Sequence, residues 1–250
     1  MYFSIIFLLT LIIPFLIIPG YIKKGTVSPY RVVLISFLTI TASATIVFMA
    51  AYFAGIDIYQ QLYEIAKMIS SEAARNPMII EGLNAAGVSE EARTEMFMQI
   101  YEAGIMSLPA SIMFTGAVVS YIAYIILSRI AGRKHQVIRM PKFREFTFGH
   151  GAAMAMMLMY IISWLMLESE MAVGELMYVN INMLFDLVFS LQGIAVVMMF
   201  FHFKKAPQAV AVVVCIFMWM TSIGKMFLVL MGMADLIIGL RVKMGGNAER

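Results

Sequence analysis

Three ionisable side chains interrupt the most apolar stretches in the second half of the chain: Asp186, Lys225 and Asp235. An ionisable side chain inside a lipid bilayer costs about 2.5–3.5 kcal/mol on insertion scales, so it usually faces the bundle interior and has a partner. Asn182 lies one helical turn before Asp186 and therefore shares its stripe. Such amide and carboxylate groups could bind a polar solute or a cation. They could equally join neighbouring helices, where each hydrogen bond is worth about 0.6–2 kcal/mol.

The neighbours of these groups complete a candidate polar cavity. Gln192 stands off the Asn182 stripe and points toward neighbouring helices. Lys225 either extends to the membrane surface or pairs with Asp186, if the two lie at matching depths. Asp235 precedes Arg241 by one to two turns, which favours an interfacial ion pair over a proton site. The predicted cavity residues are Asn182, Asp186, Gln192 and Lys225.

The sequence carries no catalytic or metal-binding constellation that we recognise. It has no His-Glu-x-x-His pair, no Gly-x-Ser-x-Gly elbow and no paired intramembrane aspartates on facing motifs, so we expect neither an enzyme nor a cofactor. The single cysteine, Cys215, excludes an internal disulfide and a cysteine metal cage, and is interpreted as a small buried hydrophobe. The 25 methionines are interpreted as helix packing rather than as a copper site.

The composition indicates that lipid is the solvent for much of the chain. Of 250 residues, 62% are apolar and only 13% are charged, whereas a soluble domain is about half apolar and a quarter charged. There are too few polar side chains to cover a water-facing surface. The formal charge of +3 is too small to suggest a nucleic-acid partner.

Apolar segments predict an all-α transmembrane bundle of about seven spans, forming one domain over residues 1–250. A span takes about 20 helical residues. The last two segments are short and close together, so they form either a tight hairpin or one re-entrant element; their combined length favours the hairpin. Gly232 and Gly239 suggest close helix contacts there. The predicted spans are 2–22, 32–55, 105–128, 149–167, 179–201, 207–221 and 224–240.

Loop charges alternate along the chain and orient these spans. Basic residues dominate 23–31, 129–148 and the segment after the last span, whereas acidic residues dominate 56–104 and the loop after the fourth span. The positive-inside rule therefore predicts a multi-pass cell-membrane protein with a cytoplasmic C-terminus. It also predicts an external N-terminus, which suggests a missing preceding helix.

The segment 56–104 is predicted to contain two amphipathic helices that cap the outer face of the bundle. Ile58, Leu62 and Ile65 begin an apolar stripe at helical spacing, with polar residues between them. After the Asn76-Pro77 break, Ser89 followed by acids indicates an N-cap.

The basic cytoplasmic loop 129–148 alternates cations with aromatic residues just before the fourth span. One interpretation is that it lies on anionic lipid headgroups, with its basic residues on phosphates. The other is that it docks a partner protein. The candidate contact residues are Arg139, Lys142, Phe143 and Arg144.

Four short motifs, in their order and spacing, resemble the YybS-like family of bacterial membrane proteins, found largely in Firmicutes and of unknown function. They are Leu127-Ser128-Arg129-Ile130, Met140-Pro141-Lys142-Phe143-Arg144-Glu145-Phe146, Gln192-Gly193-Ile194-Ala195 and Gly232-Met233-Ala234-Asp235 with its continuation to Arg241. Members usually carry Trp where Phe146 stands and have at least one more N-terminal helix. The family is distantly similar to substrate-binding S-components of energy-coupling-factor transporters, a fold-level analogy that implies no particular substrate.

Two functional hypotheses remain from the sequence. The first is a solute-binding or transport component with its site at Asn182 and Asp186, beneath the cap formed by 56–104. The second is a structural or regulatory membrane protein that recruits partners through 129–148. Expected partners are the lipid bilayer and either a small solute or another membrane protein.

Overall fold

The computed structural model describes residues 10–25, 27–76, 80, 89–132, 138–171 and 173–246, and every described element is helical. This confirms the predicted all-α class. Contacts divide the chain into two compact units, Met1–Ile138 and Arg139–Arg250. The single-domain organisation expected from the sequence stays a prediction.

The helices described in the first unit are α1 (Ile13–Lys24), α2 (Pro29–Phe53), α3 (Ile58–Ala74), α4 (Glu90–Met106) and α5 (Leu108–Ala131). Pro19 lies inside α1, which continues to Lys24 and ends where Gly25 adopts a left-handed conformation at φ 62°. α2 and α5 pack closely because Gly116 has no side chain: a Cβ there would lie 3.2 Å from Ile40 Cγ2. Ser36 and Ser120, both fully buried, lie on these same two helices.

The two helices expected in 56–104 are present as α3 and α4. The predicted N-cap is confirmed, since Ser89 Oγ accepts a hydrogen bond from Ala92 N at 3.2 Å. α3 buries small residues such as Ala66 and Ser70, and the Ser70 hydroxyl lies 3.7 Å from Met98 Sδ of α4. Of the larger apolar residues of the stripe, Ile58 is buried, whereas Ile65 and Met68 face outward and are 46% and 60% exposed. The capping role of this pair is not tested by these contacts and stays a prediction.

The second unit begins with an irregular segment, residues 139–148, which we call the strap; it contains a 3₁₀ turn at Phe143–Glu145. The helices that follow are α6 (His150–Glu168), α7 (Gly174–Phe203), α8 (Gln208–Met220), α9 (Ser222–Ile238) and α10 (Leu240–Gly246). Half of the most apolar window of α7 is buried, against 11% for α6. α7 is therefore the central helix of this unit, and α6, α8 and α9 pack on it.

Four described helices are long and apolar enough to cross a membrane: α2, α5, α6 and α7. A fifth span results if α8 and α9 are counted together, although the pair is bent by 111° at its break. α8 has 13 residues and is about 20 Å long, well short of a hydrocarbon core of about 30 Å. The predicted count of seven spans is thus not confirmed. Residues 2–9 of the first predicted span, 2–22, lie outside the described residues.

Candidate intramembrane polar site

Two glycines bring α7 and α9 into backbone contact. A Cβ on Gly193 would collide with the carbonyl oxygen of Leu228, and a Cβ on Gly232 would collide with that of Phe189. This confirms the predicted close contact at Gly232. Gly239, in contrast, ends α9 in a left-handed conformation at φ 63°. The close crossing places polar side chains of the two helices within reach of each other.

The first polar pair at this crossing joins Asp186 of α7 to Lys225 of α9. Lys225 Nζ lies 2.6 Å from Asp186 Oδ2 and donates a hydrogen bond to it. The pair is only partly covered, because 39% of the lysine side chain and 30% of the aspartate side chain are exposed. Of the two alternatives left by the sequence for Lys225, the structure therefore shows the pairing with Asp186.

A break between two helices lies directly beside this pair. α8 ends at Met220 and α9 begins at Ser222, with Thr221 capping α9 by accepting a hydrogen bond from Gly224 N at 3.3 Å. Lys225 is consequently in the first turn of α9. The first amides of a helix and the last carbonyls of the preceding one have no partners inside their own helices, so both kinds of group occur at the break.

Aromatic rings pack on the part of α7 that carries Asp186. The Tyr160 ring of α6 lies 4.5 Å from that of Phe185, and its hydroxyl lies 3.4 Å from the hydroxyl of Tyr178. Asn182, one turn before Asp186, is partly buried. The polar groups on this stretch are thus set among large apolar side chains.

Gln192, the fourth residue of the predicted cavity, belongs to a different cluster. It is fully buried, and its Nε2 donates to Asp235 Oδ2 at 2.6 Å. Its Oε1 accepts from the backbone N–H of Phe148 at 3.0 Å. The structure therefore brings Asp186 and Lys225 together but groups Gln192 with Asp235 and the strap.

Arg241 is the centre of this second cluster. Its Nε and Nη2 lie 2.8 and 2.7 Å from Asp235 Oδ2, as the predicted ion pair requires. Its Nη1 donates to two strap carbonyls, those of Phe146 at 2.6 Å and Arg144 at 3.2 Å. The side chains of Arg241 and Asp235 are only 11% and 4% exposed, so the pair is almost completely buried.

The strap presents the four residues predicted to contact lipid or a partner in two different ways. Arg139 and Lys142 are exposed. Phe143 stacks on Phe146, with ring centroids 5.5 Å apart, and Arg144 lies 3.7 Å from Glu145. Of these four residues, Arg139 and Lys142 are therefore the two that present an exposed cation.

A small cavity lies in the first unit. Its volume is about 10 Å³, the space of a single water molecule, and Tyr21, Val32 and Tyr124 are among its lining residues. None of the predicted cavity residues lines it.

Comparison with known families matches residues 1–236 to the family described as "Predicted membrane protein (DUF2232)". The chain belongs to this family. No curated protein and no solved structure matches it. The family description and the several long apolar helices agree with a multi-pass membrane location.

In this DUF2232 protein, the sequence indicated the charged residues but not the hydrogen bonds between Arg241 of α10 and the strap. Arg241 is almost one hundred residues from the carbonyls that it binds, and a backbone carbonyl carries no sequence signal. The six-residue spacing of Asp235 and Arg241 was the local signal that could be used. Among the described residues, no three His, Cys, Asp or Glu side chains are grouped so that they could hold a metal ion.

Proposed function

We propose that this DUF2232 membrane protein is a solute-binding component of a transport system, and that the Asp186–Lys225 pair is its recognition element. The observation that supports this is a close ion pair that is incompletely buried. It lies beside the break between α8 and α9. We also propose that the protein is not an enzyme.

The second ion pair of the same unit provides an internal comparison. A charged pair that only holds helices together should be buried and fully hydrogen-bonded, because an incompletely satisfied charge in lipid is costly. Asp235 and Arg241 meet that description, with at most 11% of either side chain exposed. The Asp186–Lys225 pair does not, since 30–39% of its side chains are open to the surroundings. We therefore assign the joining role to Asp235 and Arg241, and the binding role to Asp186 and Lys225.

The break between α8 and α9 supports the same assignment. Transporters commonly bind solutes at interrupted helices, whose free backbone groups and half-helix dipoles face the ligand. Asp186 lies about 27 Å along α7 from Lys204 and about 18 Å from Gly174. Because both ends of this long apolar helix are far from Asp186, we propose that the pair lies inside the membrane.

We also propose an orientation of the second unit in the membrane, based on the charged residues at its ends. Lys204 and Lys243 mark one end of the second unit, whereas Glu168 and Glu175 mark the other ends of α6 and α7. The positive-inside rule assigns the basic end and the C-terminus to the cytoplasm. α8 and α9 then enter and leave the membrane on the cytoplasmic side. The outward apolar face of α3 supports an interfacial position for the α3–α4 pair, in the outer leaflet.

The test is native mass spectrometry of the purified protein in lipid nanodiscs, with its co-purifying small molecules identified. We expect a reproducible bound solute in the wild type that Asp186→Asn abolishes, because the amide removes the charge while retaining the shape. Glu145→Gln is the matched control, since it neutralises an exposed acid of the strap. A wild-type protein without any bound solute, or one whose solute persists in Asp186→Asn, would contradict the proposal.

A second candidate function rests on the strap. Arg241 binds the strap backbone through the carbonyls of Arg144 and Phe146, and the same strap carries the exposed cations Arg139 and Lys142. Such an arrangement suits docking on anionic lipid headgroups or on a partner membrane protein. If this is the function, Arg139→Glu together with Lys142→Glu changes the proteins that co-purify, and Asp186→Asn does not.

A further inference from the structure

We infer that the solute bound at the Asp186–Lys225 pair is a small zwitterion that carries one carboxylate and one ammonium group, as amino acids do. This inference rests on the proposed solute-binding function and adds the chemical class of the ligand.

The pair has unused capacity of both kinds. Lys225 has three N–H donors, and its bond to Asp186 Oδ2 uses one of them. A carboxylate offers about four lone-pair positions, and this bond occupies one of those of Asp186. Because both side chains are partly exposed, a ligand can reach an ammonium donor and a carboxylate acceptor that lie 2.6 Å apart.

Charge balance decides between classes of ligand. An anion attracted by Lys225 is repelled by Asp186, and a cation attracted by Asp186 is repelled by Lys225, at nearly the same distance. Either would leave one charge uncompensated in a surrounding of low dielectric constant, where such interactions are strong. A zwitterion compensates both, with its carboxylate on Lys225 and its ammonium group on Asp186.

The backbone groups next to the pair favour the same orientation of a zwitterion, with its carboxylate at Lys225 and its ammonium group at Asp186. Lys225 lies in the first turn of α9, where the helix dipole places a partial positive charge that favours a carboxylate. The carbonyls that end α8 carry the opposite partial charge, which favours an ammonium group. Asn182, one turn before Asp186, adds an amide that can donate and accept.

The experiment compares three matched mixtures by native mass spectrometry of the protein in nanodiscs. The first contains the proteinogenic amino acids, the second the corresponding amino-acid amides, which are cations, and the third the corresponding 2-hydroxy acids, which are anions. We expect the wild type to bind the first mixture at least tenfold more tightly than either of the others.

Single substitutions should then change the preference in opposite directions. Lys225→Gln leaves the carboxylate alone and should favour the cationic amides, whereas Asp186→Asn leaves the ammonium group alone and should favour the hydroxy acids. Glu145→Gln should behave as the wild type. Thermal unfolding of each variant shows whether it is folded, and the charge-exchanged double variant Asp186→Lys, Lys225→Asp should restore the preference for amino acids.

The failures of the two proposals can be told apart. If a solute co-purifies and is lost in Asp186→Asn but is not a zwitterion, the ligand class is wrong and the solute-binding function stands. If none of the mixtures binds and no solute co-purifies, both are wrong. Equal binding of all three mixtures would also overturn the ligand class.

Discussion

Arg241 shows how much of the second unit depends on one side chain. Its guanidinium group donates to Asp235 and to two strap carbonyls, and its backbone N–H donates to Asp235 Oδ1 at 2.9 Å. The planar fork of arginine suits several acceptors at once, which the compact ammonium group of lysine cannot match. Asp235 also accepts a hydrogen bond from Gln192. The loss of Arg241 would therefore leave a buried, hydrogen-bonded carboxylate without its counter-ion.

We therefore expect Arg241→Gln to lower the free energy of unfolding by about 3–5 kcal/mol, the usual cost of removing one partner of a buried ion pair. Thermal unfolding in detergent measures the effect. Lys243→Gln is the control, because it neutralises an exposed cation two residues away and should change the unfolding midpoint little. Equal effects of the two substitutions would mean that the buried cluster contributes no more than a surface charge does.

The crossing of α7 and α9 is the element that makes the candidate site. Neither Gly193 nor Gly232 can carry a side chain without collision with backbone of the other helix, so the contact depends on both. Without such an approach, Lys225 could not reach Asp186 across the two helices. Gly151 of α6 is different, since a Cβ there would meet nothing within 4 Å.

Gly232→Ala and Gly151→Ala should consequently differ in their effects on stability. The first forces α7 and α9 apart and should destabilise the protein by about 1–3 kcal/mol, the typical cost of overpacking. The second should leave stability unchanged or raise it by up to about 1 kcal/mol, because alanine favours a helix over glycine. Unfolding midpoints of the two variants provide the measurement. A Gly232→Ala protein as stable as the wild type would refute the close contact.

The sequence predicted the helices better than it predicted the contacts between them. The span predicted at 149–167 is found as α6 (His150–Glu168), and that at 179–201 lies within α7 (Gly174–Phe203), because long apolar runs bounded by polar residues are local signals. The N-cap at Ser89 is local as well. The partner of Gln192 was not predicted, since it depends on tertiary packing. The break after α8 was predicted, but four residues of sequence do not specify a bend of 111°.

At the scale of the whole molecule, the two compact units follow one another along the chain, and the bent α8–α9 pair determines how the second unit relates to the membrane. If the pair is one broken span, its two ends lie on opposite sides of the membrane. If it enters and returns, both ends lie on the same side. The basic residues at both ends favour the second arrangement under the positive-inside rule.

Single cysteines introduced into a Cys215→Ala background distinguish these arrangements. Lys204→Cys precedes α8, Lys243→Cys follows α9, and Glu168→Cys at the end of α6 reports the opposite side; all three positions are exposed. With a membrane-impermeant maleimide, we expect Glu168→Cys to react in intact cells, and the two lysine positions to react only after permeabilisation. Labelling of Lys204→Cys and Lys243→Cys from opposite sides would establish a broken span and would exclude a returning pair. Reaction of both lysine positions in intact cells would keep the returning pair but invert the proposed orientation.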